Sequence, residues 1–171
     1  MPTERPALRR RLIPGAVGEP RATAVIEATL DAARHEMPGG GDIVLDGPPG
    51  ASCPVATLVR AADVCLLVTV PTPFGLHDLA QAHELIAARG KPAAVILNRS
   101  RGDEHDDSVA TWCRDREIPL LLLIPDRRCV AESYSRGIPV LGAIEGIEDE
   151  LIRLREPLRR LAARGRSGVA A

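Results

Sequence analysis

The sequence has few aromatic residues and almost no net charge. Its aromatic residues are Phe74, Trp112 and Tyr134, and the formal net charge at pH 7 is −1. With so few rings, the chain lacks the stacking surfaces that bind single-stranded nucleic acid. The balanced charge gives no electrostatic basis for attraction to nucleic acid or to an acidic membrane. We therefore expect no nucleic-acid partner.

Long apolar runs and closely spaced cysteines are also missing. No run approaches the length of a transmembrane helix, and the first residues lack the apolar core of a signal peptide. The cysteines lie far apart and form no C-x-x-C motif: Cys53, Cys65, Cys113 and Cys129. This spacing disfavours zinc or iron–sulfur ligation by this chain alone. We expect a cytoplasmic protein with reduced thiols, no iron–sulfur ligands and no stable membrane insertion.

Strand and helix patterns alternate along most of the chain. The apolar patterns predict strands at residues 42–46, 64–70, 93–97 and 120–124. They predict helices at residues 23–36, 54–61, 75–89, 106–116 and 127–136. The last three strands are apolar on both faces, which is typical of a buried parallel sheet. The sequence therefore predicts an α/β fold, with a mostly parallel sheet covered by helices on both faces.

The two ends of the chain differ from this α/β region. Residues 1–22 are rich in proline and contain a run of three arginines, which indicates a loose N-terminal segment. Near the other end, apolar residues at helical spacing run from Ile144 to Leu161, and Pro157 should kink or break this helix at Arg153. We predict one α/β domain over residues 23–165 and a disordered tail over residues 166–171.

The stretch from residue 42 to residue 54 carries the clearest functional pattern. An apolar run ends on Asp46 and is followed by Gly47, Pro48, Pro49 and Gly50. Ligands bind at the carboxyl ends of strands in open α/β sheets. A carboxylate there suits a water-held Mg²⁺, and glycine leaves backbone N–H groups accessible to phosphate. An ordinary turn with an N-capping acid explains the same spacing equally well.

This stretch also resembles a known family. Asp-Gly-Pro-Pro-Gly followed by Cys-Pro is similar to the switch II segment of MinD/Mrp-type P-loop ATPases, in the branch with an inserted 4Fe-4S ferredoxin domain. Further similar segments occur in family order at residues 18–20, 69–79, 95–99, 124–126, 130–131 and 137–140. The resemblance covers roughly residues 16 to 165 and implies a partial MinD-like P-loop NTPase fold.

The resemblance implies ATP and Mg²⁺ as ligands. Asp46 would be the catalytic carboxylate, holding the water shell of Mg²⁺ and ordering the attacking water. The turn from Gly47 through Pro48 and Pro49 to Gly50 would approach the γ-phosphate. Four further residues would contact or flank the adenosine: Asn98, Arg99, Pro125 and Asp126.

Two of these nucleoside-side residues also have a structural interpretation. Asn98 could cap the junction between strand and loop, and we favour Asp126 as an N-cap of the next helix. The guanine-binding pattern Asn-Lys-x-Asp is not met, because Arg99 and Arg101 occupy its second and fourth positions. Adenine is therefore favoured over guanine. His83 falls on the apolar face of its helix and is predicted to be a packed histidine.

The P-loop motif itself is missing from this sequence. P-loop ATPases need G-x-x-x-x-G-K-S/T, and the only Gly-Lys pair here is Gly90-Lys91, which is followed by Pro92. We expect the chain to be the C-terminal half of such an ATPase and inactive alone. Its partner would be a P-loop and ferredoxin-bearing half, or it would self-associate. The alternative is a non-catalytic interaction module derived from an ATPase.

Overall fold

The computed structural model describes residues 22–36, 41–50, 52–137, 141 and 144–168. The chain divides into two compact units, the first ending at Asp46 and the second beginning at Gly47. Within the first unit, helix α1 spans Ala22–His35, as its apolar spacing predicts. Residues 1–21 of the predicted loose segment, with its arginine run and residues 18–20, lie outside the described residues.

The second unit is built on a parallel sheet. The described residues form strands β1 (Cys65–Thr69), β2 (Ala93–Ser100) and β3 (Leu120–Pro125), in the spatial order β1-β2-β3. Leu67 of β1 pairs with Val95 of β2, and Leu97 of β2 pairs with Leu123 of β3, both in parallel register. The predicted α/β class with a parallel sheet is confirmed.

Helices alternate with these strands. Helix α2 spans Cys53–Ala61, α3 spans Pro73–Ala87, α4 spans Glu104–Asp115 and α5 spans Arg128–Ser135. Proline at the first turn of α2 and of α3 fits a position whose N–H has no helical partner. Helices α6 (Ile147–Arg153) and α7 (Arg155–Gly168) complete the unit. In the described residues, no helix is both long and apolar enough to cross a membrane.

The central strand β2 is buried on both faces. Val95 and Leu97 are packed with Leu79 of α3 and with Val109 and Cys113 of α4. On the opposite face, Ile96 packs with Ile147 of α6 and with Leu154, where α6 and α7 meet. Helices therefore cover both faces of the sheet, and this explains why β2 reads as a continuous apolar run rather than an alternating one.

The predicted strand over residues 42–46 is absent from the structure. These residues have no strand pairing, and Val44 is 87% exposed. An apolar run supplies the side chains of a buried strand, but a strand also requires a neighbour to complete its hydrogen-bond ladder. The sequence expectation for this segment was wrong, because residue pattern alone does not reveal whether such a neighbour is present.

The helical pattern from Ile144 to Leu161 is divided, as Pro157 predicts. Helix α6 ends at Arg153, the residue whose carbonyl would accept the hydrogen bond that Pro157 cannot donate. Helix α7 then continues to Gly168, into the segment for which the sequence predicts a tail. At Gly165 an added Cβ would lie 2.9 Å from Cδ of Pro92, so α7 approaches the start of β2 closely.

Candidate functional site

Polar and charged residues meet where β2 and β3 end. Asn98 is half-buried near the end of β2, and its Cα partner in β3 is Ile124. The register shifts between Asn98 and Ser100, which leaves Arg99 as an extra residue in the strand. Arg99 adopts a left-handed backbone with φ of 60°, and its N–H donates to Oδ1 of Asn98 at 3.0 Å. This bulge fixes both the amide of Asn98 and the direction of the following loop.

The end of β3 brings a carboxylate to the same edge of the sheet. The Asp126 N–H donates to the carbonyl of Ser100 at 2.8 Å, which joins the two strand ends beyond Pro125. The distances from Arg99 Nε to Oδ1 of Asp126 and from Arg101 Nε to Oδ2 of Asp126 are both 3.5 Å. The structure therefore brings together Asn98, Arg99, Pro125 and Asp126, the four residues that the resemblance places beside the adenosine.

Asp126 does not sit at the N-cap position of α5. That helix begins at Arg128, so the residue directly before it is Arg127. The carboxylate of Asp126 instead contacts Arg99, in the bulge of the neighbouring strand, and Arg101, which follows that strand. The sequence pattern favoured the N-cap, because a local cap can be recognised from spacing whereas a contact across 27 residues cannot.

A buried carboxylate that sequence reasoning missed holds this loop. Asp106 is 6% exposed, and its Oδ2 accepts hydrogen bonds from Ser100 Oγ at 2.6 Å and from the Gly102 N–H at 2.7 Å. Burial is the largest single influence on the pKa of Asp106, and it raises that pKa. The hydrogen bonds from Ser100, Gly102 and the Arg101 N–H, together with the charge of Arg101, outweigh burial and hold the pKa below its ordinary value. Asp106 is thus an ionised anchor for the loop that carries the arginines.

The start of α4 also differs from the sequence expectation. The sequence predicts that Asp106, Asp107 and Ser108 open this helix, but the N-cap residue is Asp103, whose carboxylate accepts from the N–H groups of His105 and Asp106. The two acids therefore have different roles: Asp103 caps the helix, and Asp106 accepts hydrogen bonds from Ser100 and Gly102. The useful sequence signal is an acid at the N-cap followed by a second acid three residues later.

The end of β1 is closed by a tight turn into α3. Thr69 Oγ1 donates to the carbonyl of Gly75 at 2.8 Å, and Thr72 Oγ1 accepts from the Gly75 N–H at 3.0 Å. A Cβ at residue 75 would collide with the carbonyl oxygen of Val70, so this position requires glycine. The segment that resembles the family at residues 69–79 thus forms a rigid connection, which explains its unusual threonine, proline and glycine content.

The predicted phosphate-side residues fall in different units. Asp46 is exposed and ends the first unit. Gly47, Pro48, Pro49 and Gly50 are exposed at the start of the second, and Gly50 has a φ of 86°, which favours glycine. Among the described residues, no group of three or more His, Cys, Asp or Glu side chains is arranged to hold a metal ion.

The two histidines of α3 have different surroundings. His77 is exposed, and its Nε2 lies 3.1 Å from Nε2 of Gln81. His83 packs edge-on against Trp112 with ring centroids 5.6 Å apart, and Arg116 lies over the same indole ring. Burial lowers the pKa of His83, Arg116 lowers it further, and Glu84 opposes the change. The structure agrees with the prediction of a packed histidine.

Comparisons with known proteins yield distant relatives. No family model matches the chain. It is 32% identical over 133 residues to the ATP-dependent dethiobiotin synthetase BioD of Novosphingobium aromaticivorans, covering 70% of this chain and 63% of that protein. The similarity supports a P-loop NTPase-like relation. It does not extend to the MinD/Mrp branch, which stays a prediction.

A second relative is an uncharacterized protein of Methanocaldococcus jannaschii. The two chains are 28% identical over 94 residues, which is 55% of this chain and 31% of that protein. The chain therefore spans less than two thirds of the length of either relative. The activity of a whole relative is therefore not assigned to this chain by the similarity.

Proposed function

We propose that the chain is the switch II and adenine-pocket half of an ATP-binding and ATP-hydrolysing protein of MinD type. The observation that carries this proposal is the convergence of Asn98, Arg99, Pro125 and Asp126 at the ends of two adjacent parallel strands. Carboxyl ends of strands are where open α/β sheets bind ligands. The similarity to a synthetase that is ATP-dependent favours ATP as that ligand.

The base would be held mainly by Asn98. Its Oδ1 already accepts from the Arg99 N–H, so the side-chain amide is oriented by the strand bulge rather than by chance. An oriented amide presents its NH₂ group as a donor to a ring nitrogen of adenine. The half-buried position of Asn98 reduces competition from water for this contact.

The metal would be Mg²⁺, and Asp46 fits the chemistry that it needs. Mg²⁺ keeps several water ligands and takes one or two carboxylates together with substrate phosphates. An exposed carboxylate next to a Gly-Pro-Pro-Gly turn is suited to hold that water shell. Bound Mg²⁺ would neutralise charge on the transferred phosphoryl group.

The phosphate contacts must come from a segment outside this sequence, since no G-x-x-x-x-G-K-S/T motif is present. We propose a P-loop and ferredoxin-bearing half as the partner, which would associate this chain with iron–sulfur or redox chemistry. The position of β1 supports such a partner, because β1 forms an edge of the sheet in the described part of the chain and could pair with a further strand. The second candidate, a non-catalytic interaction module, is favoured by the missing motif.

Nucleotide titrations test the proposal. Without P-loop contacts, ATP should bind the chain alone no more tightly than about 1 mM, equivalent to ~4 kcal/mol. AMP at millimolar concentration should shift backbone NMR signals at the ends of β2 and β3. Asn98→Ala should weaken AMP binding about fivefold, the loss of one hydrogen bond of ~1 kcal/mol.

A matched control removes an amide elsewhere. Gln81→Ala deletes an exposed side-chain amide on α3 that contacts His77, and it should leave AMP binding unchanged. If AMP shifts no signal near Asn98, or if both variants behave alike, the proposed nucleotide site is wrong. Micromolar ATP binding by the chain alone would reveal a phosphate site that has no P-loop motif.

A further inference from the structure

The carboxylate of Asp126 has an arginine on each of its two oxygens. Arg99 Nε faces Oδ1 and Arg101 Nε faces Oδ2, both at 3.5 Å. The guanidinium groups are largely exposed, and ion pairs in such surroundings contribute little to stability. Two arginines on one acid therefore need an explanation other than support of the fold.

The arginines are positioned by strained and anchored backbone. Arg99 occupies a bulge with a left-handed φ of 60°, a conformation that is costly for any residue except glycine. The Arg101 N–H is held by the buried carboxylate of Asp106. Strained backbone that persists at a predicted binding edge is a reason to look for a functional role.

The two purine bases need different hydrogen-bond partners at this edge of the sheet. Guanine carries an N1–H and an N2 amino group side by side, and a carboxylate can accept from both. Adenine has a bare N1 acceptor at the corresponding position, which suits a donor rather than an acid. Each guanidinium group lies against one oxygen of the Asp126 carboxylate and offsets its charge, so the carboxylate is a weaker acceptor for the two donors of guanine.

We propose that Arg99 and Arg101 set the base selectivity of this site by masking Asp126, a latent guanine-reading acid. This inference rests on the proposed nucleotide site at the ends of β2 and β3. In this arrangement the specificity for adenine comes as much from exclusion of guanine as from contacts to adenine. The position that the guanine-binding pattern gives to an acid carries Arg101, while the chain has an acid directly after the next strand and pairs it with two arginines.

The test compares AMP with GMP, which share ribose and phosphate and differ only in the base. Dissociation constants are measured by NMR titration of the full 171-residue chain. The wild-type chain should bind AMP at least fivefold more tightly than GMP. In the Arg99→Gln/Arg101→Gln variant, which uncovers Asp126, this preference should fall at least fivefold. Adding Asp126→Asn to that variant should remove the gained GMP affinity.

The matched control neutralises two arginines in other exposed ion pairs. Arg128→Gln/Arg160→Gln removes the same charge from the pairs with Glu132 and Glu156, and it should leave the AMP-to-GMP ratio as in wild type. An unchanged ratio in Arg99→Gln/Arg101→Gln, or a gain that survives Asp126→Asn, overturns the masking role alone. Absence of AMP binding to the wild-type chain overturns the proposed nucleotide site and the masking role together.

Discussion

Ser100 Oγ donates a hydrogen bond of 2.6 Å to the carboxylate of Asp106, and this contact ties the last residue of β2 to the first turn of α4. The same oxygen also accepts from the N–H groups of Arg101 and Gly102. One buried acid therefore binds three successive residues, Ser100, Arg101 and Gly102. The candidate site depends on this anchored segment, because it holds the backbone from which the side chains of Arg99 and Arg101 extend.

We expect Asp106→Ala to lower the free energy of unfolding by about 3 kcal/mol, because it leaves buried donors without their charged acceptor. Asp103→Ala is the control, since it removes the N-cap of the same helix and an exposed contact to the His105 ring, and it should cost about 1 kcal/mol. Urea denaturation measures both. Equal losses in the two variants would show that Asp106 acts merely as part of the helix start.

His83 predicts a dependence of stability on pH. Its pKa in the folded chain lies below the ordinary value of 6.5, through burial first and Arg116 second, so the unfolded chain binds a proton more readily. Stability is therefore lost as pH falls through the unfolded pKa towards the folded one. Asp106 titrates well below this window, because its pKa is also lowered.

The measurement is the difference in unfolding free energy between pH 8 and pH 5. His83→Gln should reduce this difference, whereas His77→Gln, which changes an exposed histidine on the same helix, should not. A larger pH effect in His83→Gln than in wild type would mean that the protonated ring is stabilised against Trp112, contrary to the expected sign.

Glu117 offers a stabilising substitution. It has a φ of 55° in the turn between α4 and β3, where its side chain is exposed. Glycine tolerates this backbone, and its extra freedom in the unfolded chain offsets part of the gain. We expect Glu117→Gly to raise the free energy of unfolding by about 0.5–1 kcal/mol. Glu117→Ala removes the same charge and keeps the strain, so thermal unfolding should show no comparable increase.

Asp46 is expected to act only within a complete ATPase. In a complex reconstituted with the P-loop-bearing half, Asp46→Ala should reduce ATP turnover by orders of magnitude, because metal and water positioning is lost. Asp42→Ala, which removes a carboxylate at the other end of the same apolar run, serves as the comparison. Near-normal turnover in Asp46→Ala would show that Asp46 has no catalytic role and is only a turn residue.

The edge strand β1 predicts self-association of the chain alone. The Cys65 N–H donates to Pro92 before β2, so by strand alternation the backbone groups of Leu66 and Val68 point away from β2. Val68 is also 61% exposed, and an apolar strand edge is a template for pairing with another chain. Light scattering should show concentration-dependent oligomers that a co-expressed P-loop half suppresses.

Val68→Lys should weaken this self-association, because a charge on an edge strand opposes pairing. Ile152→Lys provides a matched control, since Ile152 is 63% exposed on α6 rather than on the strand. A stable monomer at all concentrations, with no partner present, would contradict the edge prediction and favour the non-catalytic module.

Local patterns were sufficient for much of the fold. The continuous apolar run of β2 and the proline break before α7 follow from chemistry within a few residues, and both agree with the structure. Residues 42–46 have an equally apolar pattern but form no strand, since pairing depends on a neighbour elsewhere. The ion pairs of Asp126 and the anchor role of Asp106 were missed because they depend on how a loop folds back.

The approach of Gly165 to Pro92 determines where a label can be attached. Pro92 precedes β2, whereas Asn98 lies at the opposite end of that strand. At about 3.3 Å per residue, the six residue-to-residue steps from Pro92 to Asn98 span roughly 20 Å. A fluorophore or affinity tag fused after the C-terminal helix would thus begin near the amino ends of the strands. It would leave the nucleotide edge accessible for titration.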